Sequence, residues 1–203
     1  MVSLADWQRL FPEESSVGAS LIERWSEPHR RYHTLDHLGF MLRVIDDHAD
    51  CADDVLACRL AAWFHDAVYE PFAPDNEERS AALASAVLPD LGVAADRVAE
   101  VVRLVRLTAG HKVADGDRNG ALLADADLAI LASPPADYAR YAAAVRQEYA
   151  AVPEDAFRAG RAQILGLFLA NPDLFRVVPA RAEWTARAHD NLRTEITTLL
   201  GAP

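Results

Sequence analysis

An adjacent histidine and aspartate, His65 and Asp66, end the apolar segment Ala62-Trp63-Phe64, which predicts a buried helix. Burying an ionised carboxylate beside an imidazole is costly unless another group pairs with them. A divalent metal ion is a strong candidate, because imidazole and carboxylate are ligands that such ions take in proteins. If a metal is bound here, other segments of the chain must supply further His, Asp or Glu ligands.

Other histidines and acidic residues could converge on this pair. The candidate ligands are His33, His37, His65, Asp66, His111, Asp125 and Asp127. A single His-Asp dipeptide occurs by chance in many chains and is a weak signal. A histidine on one helix, His-Asp at the end of the next and an aspartate on a later apolar helix form a much more specific pattern.

The segments that carry these residues have the periodicity of helices. Thr34 is a good N-cap for a helix in which His37 lies one turn before Met41, and so points to the same interior. Helical periodicity recurs along the chain, and no segment alternates with period two for long enough to make a convincing strand. The sequence predicts an all-α bundle of about eight to ten helices, in a single domain spanning residues 1–203.

Two details of this helix pattern bear on the site. Asp75 with Glu78 three residues later predicts a capping box at the start of a helix. A loop is predicted around His111 from three glycines and an aspartate: Gly110, Asp115, Gly116 and Gly120. The candidate ligands therefore come from three helices, from the polar turn that contains His33 and from the loop that contains His111.

Composition excludes some classes of protein. The net charge of −11 opposes broad binding of a nucleic-acid polymer, although a local basic pocket for a small phosphate is compatible with it. No apolar run approaches the roughly 20 residues of a membrane span, and the N-terminus lacks a basic region followed by an apolar one. We expect a cytoplasmic protein without a membrane partner, and a homodimer is left open.

The order His37, His65-Asp66, Asp125 resembles the HD superfamily of metal-dependent phosphohydrolases. Further motifs are similar to those of a bacterial subgroup of predicted HD-type hydrolases. They are Arg31-Tyr32-His33 with His37, Ala62 to Tyr69, Asp75 to Ala81, Asp125 to Leu131, Tyr141, Val145-Arg146 with Glu148-Tyr149, and Gly160-Arg161. The resemblance covers roughly residues 20 to 195 and implies an HD-domain-like helical bundle. It is specific for the family but not for a substrate.

By this resemblance the metal ligands are His37, His65, Asp66 and Asp125, and His37 fits the family's first histidine better than His33. Asp125 and Asp127 lie about 200° apart on a helix, so both cannot face one metal unless the helix is irregular. Asp125 is preferred and Asp127 is the alternative. The implied cofactor is one divalent ion per chain, or two, and its identity is open among Mn, Mg, Co, Ni, Fe and Zn.

The resemblance implies hydrolysis of a small phosphoester, with a nucleotide as one candidate. The ion would lower the pKa of a bound water, and a carboxylate would take the proton. The candidate catalytic carboxylates are Asp66, Glu77 and, less favoured, Glu70. The candidate substrate-binding residues are Arg31, His33, Asn76, His111, Arg146 and Arg161, the arginines because a guanidinium offers a forked set of donors to phosphate.

Two other functions and several structural roles compete with this interpretation. An HD-type pocket could bind a metal or nucleotide as a sensor without hydrolysing anything. A di-iron oxygenase on the same scaffold would need both His33 and His111 as extra ligands. Arg146 with Glu148, and Arg161, could instead form structural ion pairs, and Asn76 and Glu77 could act only as capping residues.

Overall fold

Helices form the architecture of residues 2–201, the part of the chain that the structure, a computed structural model, describes. Within those residues there are ten α-helices, two short 3-10 helices (Ala49–Cys51 and Ala129–Ala132) and no strand. The predicted all-α bundle of eight to ten helices is therefore confirmed. The α-helices are α1 (Leu4–Gln8), α2 (Ser15–Trp25), α3 (Leu35–Asp47), α4 (Val55–Phe64), α5 (Asn76–Val87), α6 (Ala95–Leu107), α7 (Arg118–Leu128), α8 (Pro135–Glu148), α9 (Glu154–Leu169) and α10 (Arg181–Leu200).

The larger apolar core surrounds α4, which packs against α3, α6 and α7. Trp7, Trp25 and Trp63 are fully buried in it. Trp7 and Trp63 meet edge to face with ring centroids 5.3 Å apart, and the Trp25 indole donates a 3.0 Å hydrogen bond to the Trp63 carbonyl oxygen. These contacts fix α4, the helix that leads into His65, against the N-terminal helices.

A second apolar cluster joins α8, α9 and α10 to the 3-10 helix after α7. Phe175, Leu165 and Leu192 are buried in it, and Trp184 packs against both clusters. The second cluster thereby holds α8 and α9 beside the end of α7. No helix within residues 2–201 has both the length and the apolar character that crossing a membrane would require.

The helix starts follow the sequence in part. The Thr34 hydroxyl accepts the N–H of Asp36, as its position predicts. The predicted capping box at Asp75 is wrong, because the Asp75 side chain makes no capping bond and Glu78 pairs with Arg106 instead. The predicted loop extends to Gly120, but helix α7 already begins at Arg118. The Asp117 side chain accepts the N–H of Gly120 at 2.8 Å and caps the helix there. Gly120 is thus inside α7.

Candidate metal centre

Three segments bring their polar side chains to one point. His37 lies in the first turn of α3, His65 is the C-cap of α4, and Asp127 lies in the last turn of α7. One ligand atom of each lies within 4.8 Å of the other two. His37 Nε2 is 3.2 Å and His65 Nε2 is 3.8 Å from Asp127 Oδ1, and His65 Nε2 is 3.1 Å from Asp66 Oδ2. Such separations suit atoms that bind one cation at about 2.0–2.2 Å.

The histidine nitrogens at this point lack hydrogen bonds. Four buried side-chain atoms of residues 2–201 have no hydrogen-bond partner: Tyr32 Oη, His37 Nδ1, His37 Nε2 and His65 Nε2. The short contacts of His37 Nε2 and His65 Nε2 with carboxylate oxygens do not have hydrogen-bond geometry. Buried polar atoms without a partner are rare in folded proteins. Their convergence with carboxylates suits a bound cation, so the residues present fit a divalent metal.

The His65 ring is oriented by its own helix. Its Nδ1 lies 2.9 Å from the carbonyl oxygen of Ala62, which can only accept, so Nδ1 carries the proton. In the neutral ring the lone pair is then on Nε2, the atom that faces Asp66 and Asp127. A hydrogen bond of this kind fixes the tautomer and the orientation of a metal-binding imidazole.

The charges at the cluster are strongly coupled. Burial lowers the pKa of His37, although Asp127 opposes this effect. Burial alone would also lower the pKa of His65, but the carboxylates of Asp66 and Asp127 raise it to about 9. Burial alone would raise the pKa values of both aspartates, yet the neighbouring histidines lower them. The cluster therefore presents two carboxylates near neutral pH, a suitable counter-charge for a divalent cation.

Asp125 is not part of this cluster, which corrects the preferred sequence prediction. It is fully buried, and its carboxylate accepts the backbone N–H groups of Arg176 (2.9 Å), Val177 (2.9 Å) and Val178 (3.1 Å). Burial raises the pKa of Asp125 although these bonds oppose the shift. Asp125 and Asp127 thus project from different sides of α7, and of the two only Asp127 places an oxygen beside His37 and His65.

The second oxygen of Asp127 is held by His111, whose Nε2 lies 2.8 Å from Asp127 Oδ2. His111 lies in the loop between α6 and α7 with φ of 51°, and no other non-glycine residue of 2–201 has a positive φ. Such a backbone conformation persists where surrounding contacts enforce it. The role of His111 in this structure is to orient Asp127, and its predicted contact with a substrate oxygen or a second metal stays a prediction.

Glu148 organises the segment around His33, and the sequence interpretation missed this role. Its Oε1 accepts the backbone N–H groups of Arg31, Tyr32 and His33 at 2.8–3.0 Å. Its Oε2 accepts from His33 Nδ1 at 2.7 Å and from the Tyr69 hydroxyl at 3.0 Å. Its position in the sequence could have indicated this role, since Glu148 continues the buried face of α8. Burial alone would lower the pKa of His33, but the bond to Glu148 raises it.

We expect Glu148→Gln to change how stability depends on pH. Burial alone would raise the pKa of Glu148, but the hydrogen bond from His33 and backbone N–H groups lower it to about 2. A lowered pKa stabilises the fold above the unfolded value of about 4.3, and this stabilisation is lost as the pH falls towards 2. Denaturant unfolding with a chelator should show a wild-type advantage over the variant that shrinks from pH 5.5 to pH 3. An advantage that stays constant would contradict this role.

Arg30 is a second residue that the sequence interpretation missed. It is buried, and its Nη1 donates to the carbonyl oxygens of His33 (3.1 Å) and Asp66 (2.9 Å). Its guanidinium lies 5.4 Å from the Trp25 ring centroid and 5.2 Å from that of Tyr69. Arg30 therefore ties the segment that carries His33 to the segment that carries Asp66. No periodicity or motif in the sequence separates it from its neighbour Arg31.

The three predicted phosphate-binding arginines are occupied within the protein. Arg31 is exposed and donates to carbonyl oxygens of its own turn. Arg146 binds Glu154 (3.0 Å) and two carbonyl oxygens in the connection between α8 and α9. Arg161 forms a bidentate ion pair with Glu195 (2.9 and 3.3 Å). The structural alternative fits Arg161, whereas Arg146 pairs with Glu154 and not with Glu148 as that alternative predicted. Phosphate binding by the three arginines stays a prediction.

Three predicted site residues follow His65-Asp66 along the chain. Asn76 has a structural role, and Glu70 and Glu77 are carboxylates outside the cluster. The Asn76 side chain accepts the N–H of Glu70 at 3.0 Å and donates to its carbonyl oxygen at 2.8 Å. Asn76 therefore closes the loop after Asp66, and its predicted contact with a substrate stays a prediction. Glu70 is exposed, Glu77 is half-buried, and neither belongs to the cluster of ligand atoms. Their catalytic roles stay predictions.

Comparison of the chain with models of protein families, with curated proteins and with solved structures finds no match. The resemblance to the HD superfamily thus rests on the motifs alone. The helical bundle and the cluster of His37, His65 and Asp127 are the observations to which a function can be attached.

Proposed function

We propose that the protein is an HD-type, metal-dependent phosphohydrolase that cleaves a small phosphoester. One observation carries the proposal: within residues 2–201, the buried side-chain atoms that lack a hydrogen-bond partner belong to two histidines at the predicted metal position and to a tyrosine beside them. A fold that gained nothing from a cation would leave these atoms unsatisfied at a cost of about 1–3 kcal/mol each. A nucleotide as substrate, the cytoplasmic location and a homodimer stay predictions.

Four residues would hold the cation: His37, His65, Asp66 and Asp127. When bound, a divalent cation supplies Lewis acidity, which lowers the pKa of water and stabilises negative charge on a phosphoryl group. Because a carboxylate has two oxygens, Asp66 can bind the cation and also accept the proton of the attacking water. Its lowered pKa keeps it ionised near neutral pH.

His33 and Tyr32 offer donors to the substrate. Glu148 binds His33 Nδ1 and raises the pKa of the ring, which leaves Nε2 as its unbound end. Burial raises the pKa of Tyr32, so its hydroxyl remains a donor. The Tyr32 ring centroid lies 4.7 Å from that of His37. We assign Tyr32 to a phosphoryl oxygen and His33 to the leaving oxygen.

The proposed reaction balances in protons and bonds. A bond forms between the water oxygen and phosphorus, and the ester P–O bond breaks. The proton of water passes to Asp66, and His33 Nε2–H returns a proton to the departing alcohol oxygen. General acid and base catalysis of this kind contributes typically about 10²–10⁴-fold.

The di-iron alternative receives less support from the contacts. It would need His33 and His111 as ligands, and neither is among the residues whose ligand atoms converge, which are His37, His65 and Asp127. The sensor alternative shares the same cation site and differs only in lacking turnover. Metal content distinguishes the oxygenase from the hydrolase, because one cation per chain supports the hydrolase and two irons support the oxygenase.

The test of function combines metal analysis with a panel of phosphate esters and nucleotides, assayed with Mn, Mg, Co, Ni, Fe and Zn. We expect Tyr32→Phe to lower kcat by about a hundredfold, the typical loss of one charge-stabilising donor, while the metal content stays unchanged. Tyr138→Phe is the matched control, since the Tyr138 hydroxyl binds Glu195 in the second core. Metal binding without phosphate release from any ester would favour the sensor, and equal rates in both variants would remove Tyr32 from the mechanism.

A further inference from the structure

A pocket of about 360 Å³ lies between α8 and α9. Its walls are mainly aromatic and aliphatic. The rings are Tyr141, Tyr149 and Phe157, and Val145 and Ile164 are among the aliphatic residues. This volume is in the range of small-molecule sites, which are concave and mostly apolar with a few polar groups. We call it the α8–α9 pocket.

Charged groups in the wall of the α8–α9 pocket are already neutralised. Arg161 is nine-tenths buried, pairs with Glu195, and lies 5.1 Å from the Tyr141 ring centroid. The other titratable wall residue that could be cationic, His33, has its Nδ1 on Glu148. The wall of the pocket therefore favours an uncharged, apolar occupant over a phosphate group, which would need free donors.

The α8–α9 pocket adjoins the metal cluster. His33 belongs to its wall, and the His33 and His37 ring centroids are 5.9 Å apart. Helix α9 continues from the pocket towards the same cluster, because the Phe168 ring lies 6.1 Å from that of His111, which binds Asp127. A molecule whose phosphoryl group is at the cluster could therefore extend into the pocket past His33.

Exposed apolar side chains mark the rim of the pocket. Four large hydrophobic residues of 2–201 are strongly exposed, and Ile164 (51%) and Phe72 (63%) are two of them. Ile164 lines the pocket, and the Phe72 ring meets that of Tyr149 edge to face at 5.9 Å. Exposed apolar groups gathered around a concavity indicate a surface that is covered by a ligand.

We infer that the α8–α9 pocket binds the leaving alcohol of the substrate and that this alcohol is an apolar aryl or alkyl group. The inference rests on the proposed phosphohydrolase function and narrows its substrate class to esters of hydrophobic alcohols. His33 links the two halves of the site, because its Nε2 faces the leaving oxygen while its ring forms part of the pocket wall. The alcohol part of a polar ester such as glycerol phosphate would not make apolar contacts with the wall of the pocket.

The test uses a larger side chain, introduced on α9, to fill the pocket. Gly160 lines it, and a Cβ built on Gly160 has no neighbour within 4 Å, so Gly160→Leu can occupy the space without strain. Gly166→Leu is the matched control, because Gly166 is also in α9 with no neighbour near a built Cβ and does not line the pocket. Both substitutions replace glycine with a better helix former, so both variants should fold.

Binding is measured first, without metal or turnover, by the fluorescence of the uncharged probe N-phenyl-1-naphthylamine on the chelated full chain. We expect saturable binding to the wild type and to Gly166→Leu, and at least tenfold weaker binding to Gly160→Leu. Turnover with metal is measured next. For 1-naphthyl phosphate, KM should rise at least tenfold in Gly160→Leu, while the hydrolysis of glycerol 1-phosphate should not change.

The outcomes separate the two proposals. Probe binding that only Gly160→Leu weakens, with no ester hydrolysed by the wild type, would support the pocket and contradict the proposed function. Hydrolysis of 1-naphthyl phosphate with the same KM in all three proteins would support the function and overturn the pocket inference. Unsaturable probe binding, or equal binding to Gly160→Leu, would also overturn it.

Discussion

Replacing Asp127 with asparagine is expected to remove bound metal and, with it, phosphoester hydrolysis. Oδ1 of this carboxylate lies 3.2 Å from His37 Nε2 and 3.8 Å from His65 Nε2, and asparagine keeps the volume of the side chain but loses its charge. Even residues behind the ligands typically cost about 10–100-fold in metal affinity when replaced, so a ligand should cost more than about a hundredfold. Metal analysis and equilibrium dialysis with Mn²⁺ would measure the loss.

A control variant and a stability measurement accompany this prediction. Asp190→Asn removes an exposed carboxylate on α10 and should keep both metal and turnover. Chelated Asp127→Asn should remain folded, because asparagine keeps the volume of the side chain and can still bond His111, although it loses the charge that faces His37 and His65. Retention of wild-type metal content by Asp127→Asn would show that Asp127 is not a ligand.

Replacing Asp125 is expected to have the opposite pattern, with a large loss of stability and an intact metal site. Asp125→Ala leaves three N–H groups without an acceptor, that of Val178, which is buried, and those of Arg176 and Val177, which are partly buried. An unsatisfied buried donor costs about 1–3 kcal/mol, so the free energy of unfolding should fall by roughly 3 kcal/mol or more. Denaturant unfolding in chelator would measure this change.

The conservative variant sharpens this prediction. Asp125→Asn keeps one oxygen, and the bonds of Val177 and Val178 both go to Oδ2, so its loss of stability should be smaller than that of Asp125→Ala. The metal content of folded Asp125→Asn should equal that of the wild type. Loss of metal from Asp125→Asn together with unchanged stability would return the ligand role to Asp125 and contradict the assignment of Asp127.

The periodicity of the sequence predicted the helices well, because apolar spacing is a local property. It also predicted that Asp125 and Asp127 face different directions, since successive helix residues turn by about 100°. It could not decide which of them meets His37 and His65. That choice depends on the backbone N–H groups of residues 176–178, which are about fifty positions away along the chain and bind Asp125.

The supporting residues were harder to predict because their roles depend on tertiary contacts. Glu148 binds a segment more than a hundred positions earlier, and Arg30 bridges His33 and Asp66 through backbone carbonyl oxygens. Neither role leaves a pattern in local sequence. The arginines Arg146 and Arg161 have the residue type that suits a phosphate, but their partners in the fold are carboxylates on α9 and α10.

The central claim is that one divalent cation is bound by His37, His65, Asp66 and Asp127. Anomalous scattering from crystals grown with Mn²⁺ tests it most directly, since the signal locates the metal among its ligands. We predict one strong peak per chain within bonding distance of His37 Nε2, His65 Nε2 and Asp127 Oδ1, the atoms that converge in the structure. No peak at this point with saturating Mn²⁺, or a peak bound by Asp125, would contradict the account.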